Sequence, residues 1–252
     1  MRKIISLSIV ILFIPLIMLA DSAKTLFEIA NDNYNKGEYE QSIALYDSLL
    51  SNSVESAELY YNLGNAWFKL DEIPKAILYY EKAKKIEPNN ADIIYNLNLA
   101  NTKIADRIEV VPVFFLKTWW FNMLNTFNEK QWTIINISMF LVFLVFIIIL
   151  LTTKKPSLKK LSFSFAIIFI ILSFVSGLIG YRSYQIKTKH STAIIFTPTV
   201  NIKSAPDDKS STIFILHQGT KVKLLDETAN WQKVKIGNGS EGWLLKNDFE
   251  VI

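Results

Sequence analysis

The chain has 252 residues, half of them hydrophobic, with a formal net charge of +4 and no cysteine. That apolar share, with a mean hydropathy of +0.23, is high for a wholly soluble protein and points to membrane segments. The lack of cysteine excludes disulfides, thiolate metal sites and a cysteine nucleophile, and the scattered lysines give no nucleic-acid footprint.

The N-terminus reads "MRK", then an apolar run from Ile4 to Leu19, then "MLADSAK". A basic start, an apolar stretch and a small residue at its end form a secretory signal, expected over 1–20 with cleavage after Ala20. An uncleaved N-terminal anchor is the alternative. Either one sends the following segment out of the cytoplasm.

Residues 23–56 and 57–90 then align as two copies of 34 residues, with apolar and aromatic positions in register; a third, partial copy spans 91–106. In the second copy Tyr60, Leu63, Gly64, Trp67, Ala76, Tyr80, Ala83 and Pro88 resemble the tetratricopeptide repeat pattern. Each such copy is two antiparallel helices that cannot bury their apolar face alone, so copies stack into a solenoid. Gly64 costs roughly 1 kcal/mol in a helix interior, which is accounted for if the paired helix approaches there. The first copy departs from the pattern, with Ala30 for the glycine, Ser42 and Leu49 for the two alanines and no closing proline, and the third has Asn98 at the glycine position.

Stacks of this kind form a concave groove lined by the first helix of each pair. The groove-facing positions are Asn31 and Tyr34, then Tyr61, Asn65, Phe68 and Lys69, then Tyr95, Leu99 and Lys103. Asn65 is suited to hydrogen-bond a peptide main chain, and Lys69 and Lys103 to meet a carboxylate. The alternative for any one of these residues is plain solvation.

An aromatic connector, 107–132, follows. Trp119, Trp120 and Trp132 are expected to anchor at lipid headgroup level, unless the segment caps the repeats instead. Two charge-free runs, Ile134–Leu151 and Leu161–Tyr181, are each close to the ~20 residues that cross a bilayer. The expected transmembrane helices are 133–152 and 161–181, with a loop at 153–160. Lys154, Lys155, Lys159 and Lys160 favour the cytoplasmic side for that loop, which leaves 21–133 and 182–252 outside. Arg182, Lys187 and Lys189 after the second run weaken the asymmetry. Small residues at Ser173/Gly177 and Ser176/Gly180 suit close helix contact, within the chain or in a dimer.

From Ser191 the texture turns to short β-rich runs separated by "APDD", "HQGT" and "GNGS", the pattern of a small barrel. Over 191–252 the order of Val200-Asn201-Ile202, Gly219-Thr220, Trp231 and Gly242-Trp243 resembles a bacterial SH3-like domain. Trp231 and Trp243 are expected to fill much of its core. The fold class is therefore a multidomain membrane protein: an all-α tetratricopeptide repeat solenoid, two transmembrane helices and a small all-β SH3-like barrel.

No catalytic constellation is legible. His190 and His217 lack metal-ligand spacing, and no phosphate loop, nucleophile elbow or zinc-protease motif occurs. Glu38, Glu40, Glu72 and Glu81 sit on helical faces where solvation is the default. No enzyme, cofactor or metal is expected.

Taken in order, "YYNLGNAWFKL", "KAILYYEKA", "YNLNLA" and "DRIE", then the aromatic connector, two membrane helices and the SH3-like tail, resemble the BatE proteins of the Bat aerotolerance operon. The resemblance implies a non-catalytic scaffold in the bacterial inner membrane, with repeats and tail on the periplasmic side. Its implied partners are BatA-, BatB- and BatD-like membrane proteins and a MoxR-type ATPase system, in a complex linked to stress tolerance or envelope maintenance. Membrane lipid is a further expected contact. A cell-wall sensor whose tail holds peptidoglycan is the alternative function.

Overall fold

Helix boundaries follow local chemistry. Ser56 accepts a hydrogen bond from the Leu59 main-chain N–H, and Asn90 accepts from Asp92 and Ile93, so both act as N-caps. Pro74 stands in the first turn of its helix, where no N–H is needed, and Pro88 lies just beyond the end. A computed structural model describes residues 23–108, 114–127, 129–188 and 191–252. The expected signal at 1–20, residues 109–113 of the connector and His190 lie outside the described residues.

The repeats are α1 (23–36), α2 (Tyr39–Ser51), α3 (Ala57–Lys69), α4 (Ile73–Ile86) and α5 (Ala91–Asn101). A Cβ placed on Gly64 would lie 2.6 Å from ring carbons of Tyr80. The glycine is therefore the point where α4 presses an aromatic ring against α3. In the first copy Ala30 holds the glycine position, fully buried, and its carbonyl accepts from the hydroxyl of buried Ser42 at 2.9 Å. Asn98, in the third copy, is exposed.

The tail forms seven antiparallel strands: β1 (Thr192–Ile195), β2 (Thr199–Lys203), β3 (Thr212–His217), β4 (Lys221–Thr228), β5 (Trp231–Lys235), β6 (Glu241–Leu245) and β7 (Phe249–Val251). Their order in the sheet is β3-β2-β6-β5-β4-β1-β7. The three-residue β7 is too short to show alternation in sequence, and pairing with β1 defines it. The core is aliphatic, built from Ile195, Val200, Ile202, Val222, Val234 and Leu244 among others. Trp231 and Trp243 are corrections to the expected core. Both are only half-buried, because the strand period of two turns Gln232 and Val234, Gly242 and Leu244 inward instead.

Repeats and barrel belong to one compact unit, with the intervening helices forming another. Ile73, Ile77 and Tyr80 of α4 and Leu97 and Ala100 of α5 share a single buried cluster with Ile194 of β1 and Ile252. The third repeat contributes one helix only, and the barrel covers the apolar side left open. Polar contacts frame the junction. Asp106 accepts from the His217 main-chain N–H, from His217 Nδ1 and from the Thr220 hydroxyl, each at 2.7 Å. Glu81, nearly buried, pairs with Lys221 at 2.6 Å, contrary to its expected solvation. Gly219 has φ of +88°, and a Cβ there would also meet Ile104 at 2.5 Å, so only glycine fits this turn without strain.

The second unit holds α6 (Phe115–Leu124), α7 (Glu129–Thr152) and α8 (Pro156–Thr188). Helices α7 and α8 are long and apolar enough to cross a membrane. Only residues 153–155 separate them, fewer than the expected loop, because Pro156 starts α8 early. The small residues of α8 serve contact within the chain: Gly177 faces Asn136 and Gly180 faces Trp132. Asn136 Nδ2 donates to the Ser173 carbonyl at 2.6 Å, and Phe146 stacks on Phe165 and Phe169. Trp132 is a second correction. It is 9% exposed, clustered with Leu124 and Ile179, so its ring packs inside this unit rather than facing lipid.

Two outcomes test this packing. Gly64→Ala recovers about 1 kcal/mol of helix propensity but overpacks a ring held at its hydroxyl, at a cost of about 1–3 kcal/mol. Thermal unfolding should show net destabilisation, relieved when Tyr80→Leu is added. Desolvation raises the Asp106 carboxyl, but hydrogen bonds from Thr220 and His217 outweigh it and hold the group below its ordinary value. Its stabilising contribution is thus complete above about pH 4 and lost as pH falls through the lowered value. Asp106→Asn should cost about 1–3 kcal/mol at neutral pH, with the difference from the parent shrinking below pH ~4 in acid titrations of unfolding.

Candidate functional site

The residues expected to line the groove fall on the first helices of the three copies, α1, α3 and α5, except Lys103, which lies just beyond α5, and a repeated polar network holds three of them, Asn31, Tyr61 and Asn65. Asn31 Oδ1 accepts from the Tyr46 hydroxyl at 2.5 Å and from Asn62 Nδ2 at 3.0 Å. One repeat later, Asn65 Oδ1 accepts from the Tyr80 hydroxyl and from Asn96 Nδ2, both at 2.8 Å. Tyr46 and Tyr80, Asn31 and Asn65, and Asn62 and Asn96 are each one repeat length apart. Asn96 also donates to the Tyr61 hydroxyl at 2.9 Å.

This geometry fixes the orientation of both central amides. Each Oδ1 is occupied by two donors, so each Nδ2 points away from the network, at the other end of the same planar amide. Among the described residues, the Nδ2 groups of Asn31 and Asn65 make no hydrogen bond. Burial pushes the Tyr80 hydroxyl well above the ordinary tyrosine range, with the neighbouring Tyr61 and Tyr34 adding to it. It stays protonated, and a donor, at every physiological pH. Burial likewise raises Tyr46 and Tyr34.

The remaining expected residues stand apart from this network. Tyr34 packs edge-on against Tyr39 at 5.4 Å. Tyr95 and Leu99 are exposed on α5 at 68% and 41%, and Lys69 is exposed at the end of α3. Lys103 Nζ lies 4.8 Å from the Phe68 ring centroid and 2.9 Å from Asp71. Its charge is already paired in the free chain, though an exposed pair of this kind is worth at most about 1 kcal/mol. Reading one helix at a time missed Asn62, Asn96, Tyr46 and Tyr80. Their signal was available as recurrence of the same residue types at the repeat period.

A second surface belongs to the barrel. The outward positions of β2, β5 and β6 bring Lys203 and Lys233 opposite Trp243, and Trp231 opposite Leu245. Lys233 and Lys235 flank the Glu241 carboxylate at 3.0 Å each, and their hydrogen bonds hold it below its ordinary range. No group of three or more metal-ligating side chains occurs among the described residues.

Comparison with known proteins agrees with both modules. Residues 57–90 match the tetratricopeptide repeat family, and residues 198–249 match the bacterial SH3 domain family. Both are typically non-catalytic binding domains. No curated protein matches the chain.

The repeated network has a measurable signature. Tyr80→Phe should cost about 1 kcal/mol of stability. Combined with Asn96→Ala it should cost less than the sum of the two single changes, because both act through the Asn65 oxygen; additive losses in thermal unfolding would show that the network does not act as a unit.

Proposed function

We propose that this chain is a non-catalytic, membrane-anchored adaptor whose repeats hold an extended segment of a partner protein outside the cytoplasm. The observation that carries the reading is the twice-repeated tyrosine–asparagine network. It presents the Asn31 and Asn65 amide donors at the repeat spacing on helices α1 and α3. A peptide main chain offers carbonyl acceptors at regular intervals, and rigid amide donors recognise it independently of its side chains. Exposed Tyr95, Leu99 and Lys69 supply apolar and cationic contacts beside that row.

Helices α7 and α8 are the anchor, in the bacterial inner membrane. The lysines at 154–160 favour the cytoplasmic side, which leaves repeats and barrel in the periplasm. The order of repeats, aromatic connector, paired apolar helices and SH3 barrel supports membership of a BatE-type scaffold. Its partners are then BatA-, BatB- and BatD-like membrane proteins, acting with a MoxR-type ATPase in aerotolerance or envelope stress. A photo-crosslinking residue at Tyr95 or Lys69 of the full chain in cells should capture one of those membrane proteins, and Asn31→Ala with Asn65→Ala should reduce capture about tenfold. Capture that is indifferent to both substitutions sinks the groove reading.

A second reading rests on the outer barrel face. Half-exposed Trp231 and Trp243 beside Lys203 and Lys233 suit stacking on, and ion pairing with, peptidoglycan. Trp243→Ala should then abolish co-sedimentation of the full chain with purified cell-wall sacculi, and retention of that binding counts against this reading.

A further inference from the structure

Helix α6 carries a row of large apolar side chains that nothing in its own unit covers. Phe115, Leu116, Trp119 and Trp120 are exposed at 67%, 53%, 61% and 42%. Their spacing, i, i+1, i+4 and i+5, places them on one arc of about 140°, while Thr118 and Asn122 lie off that arc. No acidic residue occurs from Phe114 to Phe127. At ten residues, the helix is about 15 Å long, too short to cross a hydrocarbon core of ~30 Å.

The join at its C-terminal end gives its level. Leu124, 1% exposed, packs against Trp132 near the start of α7 and Ile179 near the end of the apolar run of α8. The Trp132 indole N–H donates to the Leu124 carbonyl at 3.4 Å, and Phe127 meets the Trp132 ring edge-on at 5.2 Å. The join therefore sits where both apolar runs give way to polar sequence, at the end of the hairpin remote from Lys154 and Lys155.

We propose that α6 is an interfacial helix, lying along the bilayer with Phe115, Leu116, Trp119 and Trp120 inserted at the boundary between headgroups and acyl chains. The occupant of this face is lipid rather than protein because the helix is joined, through Leu124, to the ends of two membrane-crossing helices. The inference rests on the reading that α7 and α8 span a membrane.

The cysteine-free chain allows a direct test with single-cysteine variants of the full chain. Leu116→Cys, Trp119→Cys, Thr118→Cys, Asn122→Cys and Leu144→Cys are labelled with an environment-sensitive fluorophore in phosphatidylcholine–phosphatidylglycerol vesicles. Nitroxide lipids report depth and aqueous iodide reports exposure. Probes at 116 and 119 should be blue-shifted, quenched more by shallow than by deep nitroxides, and about threefold less open to iodide than those at 118 and 122; the probe at 144 should favour the deep quencher. Probes at 116 and 119 as open to iodide as 118 overturn the interfacial placement alone. So do deep quenching like that at 144, or shielding that vanishes as the protein is diluted in the vesicles, which indicates a second copy. A probe at 144 that is open to iodide overturns the membrane-spanning reading together with this one.

Discussion

The contact between the unfinished end of the repeat stack and the first strand of the barrel is the constraint on which the larger unit depends. A repeat buries its apolar face only against a neighbour, and the third copy contributes a single helix. Ile194 and Ile252 complete the cluster that Ile77, Tyr80 and Leu97 begin. The barrel is thus part of the repeat domain's core as well as a module of its own. Asp106, Glu81 and Lys221 then set the alignment, since a buried carboxylate is tolerated only where donors meet it.

The same ring that the core holds in place also orients a neighbouring amide. Tyr80 lies against Gly64 on one side and donates through its hydroxyl to Asn65. Packing between α3 and α4 therefore fixes the orientation of an amide on the neighbouring surface. The glycine is a framework residue whose position decides how rigid the Asn65 donor is. Preorganised donors lose less freedom on binding, which favours recognition of a flexible chain.

In the second unit, small residues and one amide do the corresponding work. Gly177 and Gly180 admit Asn136 and Trp132, and the Asn136 hydrogen bond to the Ser173 carbonyl adds direction to an otherwise apolar pairing, which dispersion alone would leave free to slide. The stripe that reads in sequence as either an internal contact or a dimer motif is used internally.

Much of this organisation is legible in the sequence, because it depends on periodicity and run length. The repeat register, the two long charge-free runs and the short strands between turn formers are local patterns, each tied to the geometry of one element. Gly64 as a close-approach point was readable for the same reason. Tertiary structure alone decided which side chains meet across elements. Trp231 and Trp243 look like core residues by type, yet strand register turns them outward. Glu81 looks solvated on its helix until the barrel brings Lys221 to it. Asp106 has no local signature at all, because its three donors lie more than a hundred residues away. Composition and spacing specify the elements; the junction between repeats and barrel follows from long-range burial, which no single segment encodes.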